Sequence, residues 1–70
     1  MIELKISLKA ARVNVGLTQT DAAELIGVNV NTIKNWECGK SFPNQPMIDR
    51  ICNVYGLAYD QINFLPEGSL

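Results

Sequence analysis

The sequence predicts an all-α fold: a compact bundle of five short helices, with a short strand ahead of them in residues 1–7. Three observations carry that prediction. Around Ile33, the residues Trp36 and Glu37 fall on one side and Val30, Asn31, Lys34 and Asn35 on the other, as on a helix with one buried face. Gly16, Gly27, Gly39 and Gly56 close the helical stretches before any becomes long. A residue suited to capping, Ser7, Thr18, Asn29 or Asn44, stands just before each of the first four.

The elements follow in order. In residues 1–7, Ile2, Leu4 and Ile6 alternate with Glu3, Lys5 and Ser7, a period-two pattern that favours a strand. An unpaired apolar strand is an aggregation hazard, so pairing with residues 62–65 or with a partner subunit is expected. Residues 8–15 read as the first helix, from Ser7 as cap to Gly16 as stop. Thr18 caps a second over residues 19–26, where Asp21 sits at the third helical position and its charge suits the helix N-terminus. Asn29 caps a third over residues 30–37, stopped by Gly39. Residues 40–44 form a loop broken by Pro43. A fourth helix follows over residues 45–55, with Asn44 as cap, Pro46 tolerated in the first turn and Gly56 as stop. Residues 58–64 are expected to form a short, weakly capped final helix or turn, and the last residues to fray.

Length and composition limit the chemistry. At 70 residues the chain has room for one domain, with residues 1–7 as an arm and 66–70 as a tail. A chain this short buries only about 60% of its unfolded surface, so no deep substrate cavity is expected. With 47% hydrophobic and 19% charged residues it is not disordered. It lacks the run of about 18 apolar residues that a membrane span needs, and its start does not read as a signal peptide, so a soluble cytoplasmic protein is expected. Histidine is absent, which removes the commonest general base and metal ligand. Cys38 and Cys52 have neither CxxC spacing nor a supporting ligand cluster, so they read as two reduced thiols rather than a metal site or a disulfide. No catalytic residue, metal, cofactor or small-molecule substrate is expected.

Residues 19–38 (QTDAAELIGVNVNTIKNWEC) are the informative stretch. Two short helices are joined by a turn too tight for them to run antiparallel. Ala23 is small where the helices approach, Gly27 supplies a positive φ, and Val28 plugs the corner. Ile33 anchors the third helix, with Trp36 and Glu37 on its side and Trp36 half-buried. Val30, Asn31, Lys34 and Asn35 fall on the opposite, wet side. Such a face can read base edges, since Asn pairs with adenine, Lys favours guanine and a Val methyl meets the thymine methyl. Taken blandly, the same face is simply solvated.

The ordered set Arg12, GLTQ (Gly16 to Gln19), Ala23, Gly27–Val28, Ile33, WECGK (Trp36 to Lys40), Pro43 and YGL (Tyr55 to Leu57) resembles the Cro/repressor-type helix-turn-helix proteins, typified by phage repressors. The resemblance spans residues 8–65 and implies a lambda-repressor-like bundle whose third helix enters the major groove of double-stranded DNA. It implies base-reading roles for Val30, Asn31 and Asn35, with Lys34 as a further candidate. It implies phosphate contacts for Thr18, Gln19 and Lys40, and an internal ion pair between Arg12 and Glu37 that orients the reading helix. Ala22, Leu25, Cys38 and Ala58 depart from the family's usual residues at their positions.

A net charge of −1 looks wrong for a DNA binder, because phosphate neutralisation drives such binding. If Arg12 neutralises Glu37, however, residues 27–46 keep Lys34 and Lys40 with no free acid. Two cations imply weak monomer binding, so a homodimer on two half-sites is expected. The resulting expectation is a cytoplasmic, nucleoid-associated regulator of phage or bacterial repressor type, acting by steric obstruction. The alternative is a protein-interaction module, antirepressor- or antitoxin-like, with little DNA affinity, for which exposed apolar residues such as Leu25 would matter.

Overall fold

Local hydrogen bonding sets where each helix begins. The computed structural model describes residues 5–64. Ser7 ends a two-residue strand, β1 (Ile6–Ser7), and its Oγ accepts from the Ala10 N–H at 3.0 Å, which starts α1 (Leu8–Asn14). Thr18 and Asp21 form a reciprocal capping box ahead of α2 (Gln19–Ile26): the Asp21 N–H donates to Thr18 Oγ1 at 3.0 Å, and the Thr18 N–H to Asp21 Oδ2 at 3.1 Å. Asn29 Oδ1 accepts from the Asn31 N–H at 2.8 Å to open α3 (Val30–Cys38). Asn44 Oδ1 accepts from the Met47 N–H at 3.1 Å at the head of α4 (Gln45–Tyr55).

The α2–α3 corner depends on one backbone conformation. Gly27 ends α2 at φ 90°, a region that side-chain-bearing residues rarely occupy. That turn lets the N–H groups of Gly27 and Val28 both reach the Ala23 carbonyl, at 2.8 and 2.9 Å. A Cβ at Gly27 would also stand 3.4 Å from an Arg50 guanidinium nitrogen. Ala23, only 4% exposed, lets the helices meet closely at this corner.

Helix α2 is the hub. It packs against α3 and α4, while α1 leans on α3 and on the second strand. Ile26, Ile33, Ile51 and Ile62 are the largest fully buried side chains and come from α2, α3, α4 and the C-terminal strand respectively. Each contributes about 1.5–3 kcal/mol relative to an exposed position, as an upper estimate. Leu8, Ala11, Ala22, Trp36 and Tyr55 complete the seam between the helices. Among the described residues, no helix is long and apolar enough to cross a membrane.

The sequence expectation of five helices is corrected here. The described residues form four α-helices, a 3-10 turn (Tyr59–Gln61) and a two-stranded parallel sheet. The expected fifth helix is this turn followed by β2 (Ile62–Asn63), with Ile6 in register with Ile62 and Ser7 with Asn63. Ala58 makes no side-chain cap bond; the turn is closed by the Gln61 N–H donating to the Ala58 carbonyl at 3.0 Å and by the Gln61 side chain accepting from the Ala58 N–H at 2.8 Å. Ile62, 2% exposed, gains more by entering the core as a strand residue than by extending a turn that lacks a cap. The expected strand in residues 1–7 is present at Ile6 and Ser7 and pairs within the chain. Its members Ile2 and Leu4 lie outside the described residues, as do the expected tail and residue 65. Helix α1 stops at Asn14 instead of Val15, and α3 runs on to Cys38.

Candidate nucleic-acid interface

The third helix presents its polar residues unevenly. Ile33 and Trp36 are buried, 1% and 7% exposed, and fix the inner face of α3. Trp36 is therefore a core residue, more enclosed than its expected half-buried position. Asn31 and Lys34 project into solvent, whereas Val30 and Asn35 are half-buried. This corrects the expectation that all four lie on the wet side. Val30 belongs to the first turn, at the corner with α2, and packs against the core cluster. Asn35 sits on the boundary, and its carbonyl accepts from the Gly39 and Lys40 N–H groups that close the helix. Just beyond that cap, Lys40 is exposed.

Behind this face lies a charged cluster. Arg12 Nε donates to Glu37 Oε2 at 2.7 Å and Arg12 Nη2 to Glu37 Oε1 at 3.2 Å, a two-pronged pair whose side chains are each 8% exposed. Arg12 Nη1 also donates to the Leu17 carbonyl at 2.8 Å. Gln19 Nε2 donates to Glu37 Oε1 at 3.1 Å. These bonds join α1, the α1–α2 connection, the start of α2 and the end of α3. Hydrogen bonding to Glu37 raises the Arg12 pKa above its ordinary value, against the opposing effect of burial. Burial, then the Glu37 carboxylate, pushes the Tyr55 hydroxyl up to about 12, with Arg12 acting the other way. On α4, burial and then Asp49 push the Cys52 thiol up.

Two of these bonds are not evident in the sequence. Gln19, expected only at phosphate, also steadies Glu37. Arg50 donates Nη1 to the Ile26 carbonyl at 3.2 Å and so ties α4 to the end of α2. Neither has a local sequence signal, because the partners lie 18 and 24 residues apart. The remaining expected phosphate residue, Thr18, is exposed at the head of α2, with Asp21 bonded to its N–H. Cys38, exposed at the end of α3, turns its thiol back to the Asn35 carbonyl at 3.7 Å.

A capped helix, a glycine corner and a second helix backed by a buried ion pair define a helix-turn-helix protein. The chain belongs to the helix-turn-helix family, of the Cro/repressor type, with the match covering residues 8–62. It is similar to the endothelial differentiation-related factor 1 homolog of Danio rerio, 36% identical over 56 residues, which cover 80% of this chain and 38% of that protein. Multiprotein-bridging factor 1a of Arabidopsis thaliana is 33% identical over 54 residues, 77% of this chain and 38% of its own length. The Xenopus laevis endothelial differentiation-related factor 1 homolog is 34% identical over 56 residues, with 80% and 38% covered. The chain thus spans 38% of the length of these relatives. No solved structure gives a significant match.

Proposed function

We propose that the chain binds double-stranded DNA in a sequence-dependent way and serves as a transcriptional regulator, with α3 as the helix that enters the major groove. The observation that carries this reading is the outer face of α3: Asn31 and Lys34 stand free in solvent on a helix whose inner face is immobilised by Ile33, Trp36 and the Arg12–Glu37 pair. Rigid backing matters because base readout needs donors and acceptors held in place before contact. In this reading Asn31, Lys34 and Asn35 address base edges, Val30 offers a methyl to thymine, and Thr18, Gln19 and Lys40 approach phosphates. Few cations make each single contact weak, so the active species is a homodimer on half-sites about one helical turn apart. The phage-repressor kind expected from the motif has no counterpart among the relatives named above, so the proposal stops at regulator.

A second reading has a specific observation behind it. One relative carries the name multiprotein-bridging factor, and Leu25, 62% exposed on α2, stands beside the exposed acids Asp21 and Glu24. This face suits a protein partner better than a polyanion.

Selection of bound sequences from a random duplex pool at two salt concentrations separates the readings. The DNA reading expects an enriched motif that persists as salt rises. Absence of any sequence preference even at low ionic strength would refute it and leave the partner reading.

A further inference from the structure

A shallow groove lies between α1 and the start of α2. Lys9, Arg12 and Val13 line one side, and Gly16, Thr18 and Gln19 the other. It holds about 480 Å³ and opens to solvent, so it does not enclose a small ligand, which needs most of its surface covered. The polar part of its lining is fixed from within. Arg12 is 7% exposed and held by Glu37 and the Leu17 carbonyl, and the Gln19 amide is bonded to Glu37.

The charge balance singles out one residue. The positive charge of Arg12 is matched by Glu37. The Asp21 carboxylate, bonded to the Thr18 N–H, faces any anion that comes to Thr18 and Gln19. Lys9 is the other cation lining the groove, exposed and without an ion-pair partner among the described residues. It lies on the solvent side of α1, whose opposite side is buried through Leu8, Ala11 and Arg12.

We propose that Lys9 contacts a DNA backbone phosphate seated against this groove, offsetting Asp21 while Thr18 and Gln19 approach the same phosphate from the α2 side. The inference rests on the DNA reading above and adds a second phosphate-directed cation to Lys40. The log–log slope of affinity against salt is about −0.9 per neutralised phosphate. Lys40 alone then implies about a 3.5-fold loss of affinity for a fourfold rise in salt, and Lys40 with Lys9 about a 12-fold loss.

The test is fluorescence anisotropy of the full chain on a labelled random-sequence duplex across a salt series. It compares the wild type with Lys9→Gln, Lys9→Arg, Lys40→Gln and Lys5→Gln, the last an exposed lysine that does not line the groove. Lys9→Gln is expected to weaken binding to every duplex alike and to reduce the slope by about 0.9, with Lys9→Arg restoring it, Lys5→Gln leaving it unchanged and the melting temperature of each variant unaltered. The proposal is overturned if Lys40→Gln flattens the slope while Lys9→Gln does not, an outcome that leaves the DNA reading standing. It is equally overturned if Lys5→Gln flattens the slope as much as Lys9→Gln, since net charge would then explain both. A wild-type chain that binds no duplex at low salt defeats the DNA reading, and this proposal with it.

Discussion

Replacing Arg12 with Met tests how the reading helix is held. The substitution keeps an unbranched apolar stem in a buried position and removes three hydrogen bonds, to Glu37 at 2.7 and 3.2 Å and to the Leu17 carbonyl at 2.8 Å. Glu37, its side chain 8% exposed, is left with Gln19 alone. Removing one member of a buried pair costs about 3–5 kcal/mol, because the remaining charge has lost both water and partner. A folded chain of this size has a total stability of about 4–10 kcal/mol. Arg12→Met therefore takes a large share of it, and the midpoint of thermal unfolding should fall by at least about 12 °C.

The double variant Arg12→Met/Glu37→Leu sharpens the test. It removes both charges and leaves only the Leu17 carbonyl and the Gln19 amide short of a partner, a cost of about 1–3 kcal/mol per group if neither reaches water. It should therefore be no less stable than Arg12→Met alone, and the double-mutant cycle should show a coupling of at least about 2 kcal/mol. Circular-dichroism melts and urea titrations of the four proteins measure these quantities. A loss below about 1 kcal/mol in Arg12→Met, or additive single effects, would mean that the pair does not hold α3 against α1.

Three further outcomes are expected. Asn35→Ala should relax discrimination at one base pair by about 1–3 kcal/mol, whereas Lys40→Ala should weaken all sequences alike and lower the salt slope by about 0.9; competition gel shifts with single-base variants of a selected site distinguish the two. Asp21→Asn should tighten binding to any duplex at low salt by removing a carboxylate beside Thr18, while lowering stability by about 0.3–1 kcal/mol through the weakened helix N-terminus, as read by anisotropy and a thermal melt. Tyr55, with its folded pKa up from 10.0 to about 12, contributes stability that is intact below about pH 10 and is lost as pH rises toward 12, by roughly 2–3 kcal/mol in all; alkaline urea titrations of the wild type and Tyr55→Phe should diverge in that window.

The sequence revealed what depends on neighbours along the chain. The bounds expected for the second and fourth helices, residues 19–26 and 45–55, coincide with α2 and α4, because a capping side chain and a left-handed glycine act within one turn of the residues they govern. For the final segment the sequence left helix or turn open, and the count of five helices took the wrong branch. The apolar alternation ahead of α1 did point to pairing with residues 62–65, and the pairing of Ile6 with Ile62 leaves a turn and a strand there instead of a fifth helix. At the interface, periodicity placed Ile33 inward and Asn31 and Lys34 outward. It misjudged Val30 and Asn35, because the width of the buried stripe on α3 is set by how α2 packs across it. The bonds from Gln19 to Glu37 and from Arg50 to the Ile26 carbonyl depend on side-chain reach between elements, which no spacing rule encodes.

Why a chain with so few charges places two of them inside follows from the size of its core. Ten apolar residues are buried among those described, three of them alanines. Contacts between aliphatic side chains change little when one helix slides or rotates slightly on another, so a core this small leaves α3 weakly oriented. Directional bonds do not tolerate such movement. The Arg12 guanidinium meets both Glu37 oxygens and the Leu17 carbonyl only when α1, the α1–α2 connection and the end of α3 stand in one arrangement, and Gln19 adds the start of α2 to the same requirement. A buried pair returns little net stability, but its geometry penalises alternative packings. In a helix proposed to read bases, that penalty has a functional consequence. Substitutions at Arg12 or Gln19 should then blur sequence discrimination under conditions where the protein is still folded, whereas a cavity-forming change in the core far from this cluster, such as Ile51→Val, should lower stability and leave discrimination intact.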